Sequence, residues 1–130
     1  MALSKVLTIA AAALIASTSA AMAQDATAGE RVFRKCKACH EIGADASNMV
    51  GPVLNGVVGR PAGSYPDYHY SDANKNSGLT WDEATLKDYL KSPQAKVPGT
   101  KMTFPGLTSD NEIANVIAYL KQFGPDGKKP

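Results

Sequence analysis

The chain has 130 residues, enough for one domain with a hydrophobic core, and 44% of them are hydrophobic. Its 14 basic and 12 acidic residues give a formal charge of +2 at pH 7. A nucleic-acid-binding protein normally carries a strong basic excess, so this balance argues against that class.

The segment 1–23 has the pattern of an export signal. It contains Lys5 as the positive end, an apolar run at 6–16 and an A-x-A cleavage site that ends at Ala23. The apolar run is short for a membrane span, so a retained membrane anchor is the weaker interpretation. We therefore expect a secretory signal cleaved after Ala23 and a single exported domain at 24–130. Cleavage would remove Lys5 and leave 13 basic and 12 acidic residues.

The first predicted helix leads into the two cysteines of the chain. Gly29, Val32, Phe33 and Cys36 have the spacing i, i+3, i+4 and i+7, which puts them on one face of a helix. This face is the expected contact of the helix with the core.

Two further helices are predicted in the second half of the chain. Thr80 with Glu83, and Ser109 with Glu112, have the spacing of a capping box, in which two side chains bond the free N–H groups at a helix start. Apolar residues at helical spacing follow each pair, and Pro93 ends the first of these helices.

The segment 43–78 has no sustained helical or strand period and is rich in glycine and proline. A structureless stretch of this length is normally evidence against a compact domain, and three short helices make a thin core. Both difficulties are resolved if the loops wrap a large apolar group at the centre of the domain.

Both cysteines lie in the pentapeptide C-K-A-C-H, from Cys36 to His40. A zinc site normally has four protein ligands, and the only other histidine is His69, so zinc is disfavoured. A redox dithiol of the thioredoxin type expects a βαβ pattern, which the sequence lacks. C-x-x-C-H is itself the signature of covalent haem attachment. Thiols one helical turn apart can reach the two vinyl groups at one porphyrin edge, and His40 can bind the iron.

The second axial position of the iron decides the function. An open position binds small molecules, whereas a protein ligand there favours electron transfer. After the predicted signal the chain has two methionines, Met49 and Met102. Met102 lies at 96–106, in a loop punctuated by two prolines and two glycines. A methionine paired with a histidine raises the reduction potential, and we predict Met102 as the sixth ligand.

These motifs resemble a known family. The chain is similar to class I cytochromes c, in particular to the mitochondrial-like bacterial cytochrome c2 group, over essentially all of 24–130. The matching stretches are KCKACH, GPVLNGVVGR, YSDANKNSGLTW, LKDYLKSP, PGTKMTFPG and VIAYLK. The resemblance implies an all-α cytochrome c fold, in which a few short helices and long irregular loops wrap one covalently attached haem c.

The resemblance also assigns roles to individual residues. The thioether cysteines and the axial ligands of the iron would be Cys36, Cys39, His40 and Met102. The donors to the haem propionates would be Arg60, Tyr70 and Trp81. The groups that support the axial ligands would be Pro52, whose carbonyl orients His40, and, beside the methionine, Asn74, Tyr89 and Thr100.

The function implied by the resemblance is that of a soluble periplasmic electron carrier, not an enzyme. The expected partners are a cytochrome bc1-type complex as donor and a terminal oxidase or photosynthetic reaction centre as acceptor, and the expected state is a monomer. In one departure from the family, Gln94 and Ala95 replace a lysine pair before the methionine loop. The basic residues that remain near the expected haem edge are Arg34, Lys35, Lys37, Lys96 and Lys101.

Two other functions stay open at this point. One is a haem peroxidase or sensor whose sixth ligand is labile. The other is a C-x-x-C thiol oxidoreductase without haem. The first requires haem with an accessible iron, and the second requires a reactive thiolate.

Overall fold

The computed structural model describes residues 12–13 and 24–130, so almost all of the predicted export signal lies outside the described residues. Over this part of the chain the regular structure is helical, as predicted, and one isolated antiparallel bridge joins Pro61 to Thr80. No helix described is long and apolar enough to cross a membrane. The helices are α1 (Ala26–Phe33), α2 (Asp72–Lys75), α3 (Glu83–Lys91), α4 (Pro93–Lys96) and α5 (Asp110–Lys121).

Helix α1 begins directly after its capping residue, Asp25, and ends three residues before Cys36. The carboxylate of Asp25 accepts hydrogen bonds from the N–H groups of Thr27 and Ala28, which have no partner within the helix. After Phe33 the backbone tightens into turns, since the N–H of Cys36 bonds to the Phe33 carbonyl three residues back. The α-helix therefore stops at Phe33, and the predicted apolar face reaches Cys36 through turns.

Helices α1 and α5 cross in close contact at Gly29. A Cβ atom at this position would overlap the backbone carbonyl of Asn115 on α5. Next to the crossing, the ring of Phe33 packs on that of Tyr119 with centroids 5.2 Å apart. The side chain of Asn115 accepts a hydrogen bond of 3.0 Å from the N–H of Asp25. These contacts fix α1 relative to α5, and with it the turn that carries both cysteines.

The predicted starts of the two later helices have different outcomes. Ser109 caps α5 as predicted, because its hydroxyl accepts a hydrogen bond of 3.2 Å from the N–H of Glu112. The prediction that Thr80 caps α3 is wrong. The cap is Asp82, whose carboxylate accepts a hydrogen bond of 2.8 Å from the N–H of Thr85.

Hydrogen bonds to a distant segment explain why Thr80 is not a helix cap. The N–H of Ala62 bonds to the carbonyl of Leu79 at 2.8 Å, and the N–H of Trp81 bonds to the carbonyl of Arg60 at 2.9 Å. These two bonds hold the chain around Thr80 extended against the earlier segment. The helix starts only beyond this pairing.

The predicted irregular region forms loops, with α2 as a short helix near its end. Buried Asn55 connects two of these loops. Its side chain accepts a hydrogen bond from the N–H of Gly43 and donates one to the Gly43 carbonyl, both 2.8 Å long. The N–H of Gly56 bonds to the carbonyl of Phe123, just after α5, at 3.2 Å. A few polar contacts thus hold the loops against the helices.

The cap of α3 predicts a pH dependence of stability. The hydrogen bonds from Thr85 lower the pKa of Asp82, so the carboxylate stabilises the fold fully above the pKa of an unfolded aspartate, about 3.9. This contribution is lost as the pH falls through the lower folded value. We expect Asp82→Asn to lower the free energy of unfolding at pH 7, and the difference from wild type to shrink in acid. Urea unfolding, monitored by circular dichroism at several pH values, measures this difference in the free energy of unfolding.

The control for that series is Asp45→Asn, which removes one exposed carboxylate outside the helices. A loss of stability at Asp82→Asn that stays constant between neutral and acid pH would contradict the linkage to this cap.

Candidate functional site

The described residues enclose a cavity of about 360 Å³ between α1, α3, α5 and the loops. This volume lies in the range of small-molecule and cofactor sites, and most of the lining is apolar. Three helices contribute buried side chains to its walls, namely Phe33, Leu86, Leu90, Val116 and Leu120. The mouth of the cavity is formed by the exposed members of its lining, which are Lys35, Val50, Lys101, Thr103 and Pro105.

This cavity brings together all the residues that the sequence analysis assigned to the site. Five separate parts of the chain contribute to the set. The members are Cys36, Cys39, His40, Pro52, Arg60, Tyr70, Asn74, Trp81, Tyr89, Thr100 and Met102. Their assembly around one cavity is a structural observation, and their roles toward a haem stay predictions.

The two cysteines lie on a tight turn that follows α1. The N–H groups of Cys39 and His40 both bond to the carbonyl of Cys36, at 3.1 and 2.9 Å, so the two thiols are one turn apart. Both side chains are free thiols at the cavity wall. Burial raises the pKa of the Cys36 thiol to about 11. A redox dithiol works through its thiolate, so this environment disfavours the thiol oxidoreductase.

His40 is oriented by a backbone carbonyl. Its Nδ1 lies 2.7 Å from the carbonyl oxygen of Pro52, which can only accept, so Nδ1 carries the proton and donates. This tautomer leaves the lone pair of Nε2 free for a ligand. Burial lowers the pKa of His40, which favours the neutral ring that metal binding requires. Gly51 packs directly on the ring, and a Cβ atom there would overlap it.

Met102 lies in the turn after α4 and lines the cavity. Its N–H donates a hydrogen bond of 3.2 Å to the hydroxyl oxygen of Thr100. That hydroxyl also lies 3.0 Å from the hydroxyl of buried Tyr89. The backbone of Met102 is thereby linked to α3. Met49, in contrast, has 44% of its surface exposed and is not part of the cavity lining.

Arg60 lines the cavity and has one buried donor without a partner. Its Nη1 donates to the carbonyls of Val53 and Asn55, at 3.1 and 2.9 Å, and its Nε is buried without a partner. The guanidinium also lies 5.0 Å from the ring centre of Tyr65. Loop carbonyls therefore hold the side chain in place, while a buried N–H stays unpaired.

Tyr70 and Trp81 are the other two predicted propionate donors, and with Arg60 they form what we call the polar end of the cavity. The hydroxyl oxygen of Tyr70 accepts a hydrogen bond of 3.1 Å from the N–H of Tyr65 and keeps its own proton for another acceptor. The indole of Trp81 is buried and packs on the ring of Tyr89, with centroids 4.6 Å apart. Both residues line the cavity.

The unpaired polar atoms test whether this cavity fits a haem. Buried polar atoms are normally hydrogen-bonded, yet Arg60 Nε and Asn74 Oδ1 are buried without a protein partner. Both residues line the cavity, which otherwise is largely apolar. A ligand with a large apolar body and an acidic substituent at one edge would give the Arg60 donor an acceptor, whereas the Asn74 oxygen requires a donor. The thiols and the free imidazole nitrogen fit its covalent attachment and its metal.

Two of the lysines expected near the haem edge form ion pairs with acidic side chains. Lys35 forms an ion pair with Glu112 at 3.4 Å, and Lys96 forms one with Asp88 at 3.3 Å. Both pairs are at least partly exposed, so each contributes little to stability, but each reduces the positive charge that these lysines present to a partner. Pairing thus reduces the effect of two of the basic residues expected near the haem edge, in addition to the loss of a lysine pair at Gln94 and Ala95.

A loop at 65–70 connects the two sides of the cavity mouth. The hydroxyl of Tyr68 donates a hydrogen bond of 2.6 Å to the carbonyl of Val50. On the opposite side, the ammonium of Lys101 donates a hydrogen bond of 2.6 Å to the carbonyl of His69. The loop therefore joins the segment that follows His40 to the turn that carries the methionine.

Sequence reasoning missed the structural role of Gln94. It noted this residue only as the replacement of a lysine, whereas the side-chain amide donates to the carbonyls of Thr100 and Met102, at 3.2 and 3.1 Å. The departure from the family pattern was the available signal. The hydrogen bonds of Gln94 depend on how α4 packs against the turn, and the sequence alone does not show that packing.

Comparisons with proteins of known sequence agree on one family. The family described as Cytochrome c matches residues 26–124. Cytochrome c-554 of Methylosinus trichosporium is 57% identical over 125 residues, which cover 95% of this chain and 95% of that protein. Cytochrome c2 of Rhodoblastus acidophilus is 62% identical over 107 residues, covering 82% of this chain and 100% of that protein.

Solved structures give the same result for the fold. The structure of cytochrome cH from Methylobacterium extorquens matches with a TM-score of 0.71 and 54% identity, over 75% of this chain and 97% of that one. The structure of cytochrome c2 from Rhodospirillum centenum matches with a TM-score of 0.74 and 41% identity, over 78% and 99%.

The close packing of Gly51 on His40 gives a prediction for the site. Gly51→Ala places a methyl group where the imidazole ring lies, so the ring or the loop has to move. We expect the free energy of unfolding of the holoprotein to fall by about 1–3 kcal/mol, with an altered absorption spectrum. Urea unfolding and optical spectroscopy measure both effects.

The matched control is Gly124→Ala, where the nearest atom to the new methyl group is the movable carboxylate tip of Asp126, at 3.3 Å. Equal effects of the two substitutions would mean that the contact of Gly51 with His40 has no special importance.

Proposed function

The chain belongs to the cytochrome c family, and on this basis we propose a soluble one-electron carrier of the periplasm with His40 and Met102 as axial ligands of its haem iron. Members of the family carry one covalently attached haem c and transfer electrons, and they are not enzymes. Identities of 53% and 62% relate the chain to bacterial cytochromes c2 of class I. One observation carries the proposal: His40 and Met102 line a single cavity beside two cysteines one turn apart.

Covalent attachment is the proposed role of Cys36 and Cys39. Haem c bound through their sulfur atoms supplies an iron that exchanges one electron between Fe(II) and Fe(III). The turn after α1 sets the spacing of the thiols, and the crossing at Gly29 sets the position of the turn. The apolar walls exclude water from the interior of the site.

His40 and Met102 are the residues that would bind the iron of the haem. The hydrogen bond from Nδ1 to Pro52 holds the imidazole in the tautomer that leaves Nε2 free, and it raises the basicity of the ring. The thioether of Met102 is neutral and favours Fe(II), which raises the reduction potential. Thr100 supports the backbone of Met102 by accepting its N–H.

The polar end of the cavity is proposed to hold the propionates. The unpaired Nε of Arg60 and the hydroxyl proton of Tyr70 are donors at the cavity wall, and Trp81 adds an indole N–H. Hydrogen bonds from charged or oriented donors stabilise a buried carboxylate that would otherwise be costly to desolvate. The proposed place of Asn74 is instead beside the methionine, with Tyr89 and Thr100.

Fast electron transfer follows from fixing both axial ligands in advance. His40 is held by Pro52 and by the packing of Gly51, while Met102 is held through Thr100 and Tyr89. When the ligands do not move on a change of oxidation state, the reorganisation that opposes electron transfer is small. Preorganisation of the chain, rather than substrate chemistry, provides the function.

Export and partner choice belong to the same proposal. Cleavage after Ala23 would release residues 24–130 into the periplasm, where a cytochrome bc1-type complex is the proposed donor. The proposed acceptor is a terminal oxidase or a photosynthetic reaction centre. Relatives named cytochrome c2 support the coarser statement that the partners are membrane redox complexes. The mass of the mature protein from the periplasmic fraction tests the cleavage site.

An optical spectrum of protein expressed with haem-maturation machinery tests the core of the proposal. We expect the spectrum of haem c, together with the ferric charge-transfer band of a Met–iron bond. Haem c without that band would favour the peroxidase or sensor with a labile ligand. A protein that is folded and active as a dithiol without haem would favour the thiol oxidoreductase.

The ligand assignment predicts the outcome of Met102→Ala. Attachment depends on Cys36, Cys39 and His40, so the variant should keep its haem. We expect loss of the Met–iron band, a lower reduction potential and binding of exogenous ligands at the sixth position. Spectroscopy and potentiometry measure these effects, and Met49→Ala is the control that should retain the band. If Met102→Ala keeps the band and Met49→Ala loses it, the assignment is wrong.

Charge at the cavity mouth predicts the rate of docking. Lys101 lies at the mouth, whereas exposed Lys128 lies in the tail after α5. We expect Lys101→Glu to slow oxidation by a membrane oxidase several-fold at low salt and Lys128→Glu to have little effect, because charge complementarity acts mainly on association. The penalty should shrink once the Debye length falls to about 10 Å at 0.1 M salt. Stopped-flow measurements across a salt series test this.

The salt series also separates docking from folding. Lys101 donates a hydrogen bond to His69, and the loss of that contact does not depend on screening in the same way. Equal rates for the two reversals at low salt would exclude docking at the cavity mouth.

A further inference from the structure

Gln94 on α4 contacts the methionine-bearing turn from outside the cavity. Its amide nitrogen lies 3.2 Å from the carbonyl oxygen of Thr100 and 3.1 Å from that of Met102. Both partners are acceptors, so the group that faces them is the NH2 and not the amide oxygen. Its two hydrogens match the two carbonyls. The bonds therefore fix the Thr100–Lys101 and Met102–Thr103 peptide groups, which lie before Lys101 and after Met102.

The base of this contact is well anchored. Pro93, the residue before Gln94, is among the most buried side chains of the protein. Proline at the first position of a helix has a fixed φ, and its carbonyl accepts the N–H of Val97 at 2.9 Å, which closes α4. The side chain of Gln94 thus extends from a rigid point on the scaffold.

The turn at 101–106 has few other hydrogen bonds. On its inner side the N–H of Met102 bonds to the Thr100 hydroxyl, and at the mouth Lys101 bonds to the carbonyl of His69. Within the described part of the chain, no other protein donor reaches the two carbonyls that Gln94 binds, and no further backbone hydrogen bond forms in this turn. Gln94 therefore supplies the hydrogen bonds on the outer side of the turn, whose far end packs at Gly106 on the Lys91 carbonyl.

We propose that Gln94 is a positioning residue for Met102, because its two donated hydrogen bonds hold the turn closed and keep the thioether at the sixth position. The inference rests on the proposed ligation by His40 and Met102. A lysine here, as in the resembling family, would present one point charge to a partner, whereas the amide presents paired donors to the turn. Opening breaks both bonds together, so their loss should raise the open fraction roughly tenfold.

The test uses the ferric holoprotein and imidazole. At saturating imidazole the binding rate in stopped flow equals the rate at which the turn opens. Gln94→Ala removes the donors, and Gln94→Glu keeps the size of the side chain but sets a carboxylate against two carbonyl oxygens. We expect both to raise the opening rate about tenfold, with the larger effect for Gln94→Glu. Gln122→Ala, at the end of α5, is the matched control and should behave as wild type.

The remaining outcomes overturn the inference in distinguishable ways. Opening at the wild-type rate in both Gln94 variants, with the Met–iron band intact, would refute the positioning role. A lower urea midpoint without faster opening would refute it as well, since that result indicates general packing. If the wild-type protein itself lacks the Met–iron band, the axial ligation has failed, and the role of Gln94 fails with it.

Discussion

The crossing of α1 and α5 at Gly29 is the contact on which the rest of the structure depends. Since a Cβ atom there would overlap the carbonyl of Asn115, the two helices can approach this closely only around glycine. The crossing fixes the end of α1, and the tight turn that follows places Cys36 and His40 without any intervening loop. The close contact of the α1 and α5 backbones thus determines where the turn with both cysteines lies.

The two sides of the cavity are held by different kinds of force. On the histidine side, the imidazole of His40 lies between Gly51 and the carbonyl of Pro52, so close packing limits its movement. On the methionine side, the turn is held by separate hydrogen bonds from side chains such as Tyr89 and Gln94. The methionine side also has close packing, since a Cβ atom at Gly106 would overlap the Lys91 carbonyl, but hydrogen bonds from side chains contribute a larger part of its support.

Sequence reasoning succeeded where the chemistry is local. The C-x-x-C-H pentapeptide and the Ser109 cap depend on neighbours within one helical turn, and the cytochrome c fold follows from the family that these motifs resemble. It failed at Thr80, where hydrogen bonds from a segment about twenty residues earlier overrode the capping spacing. It also missed Gln94 and the pairing of Lys35 with Glu112, because both depend on how distant elements are placed in space.

The loop at 65–70 has a consequence for how this protein can vary in evolution. It is attached to one side of the cavity mouth through Tyr68 and Val50, and to the other through His69 and Lys101. A segment tied at both ends has a required length, so an inserted or deleted residue would break one attachment or pull the two sides together. Side chains that make no attachment can therefore vary along this loop, whereas Tyr68 and the length of the loop are constrained.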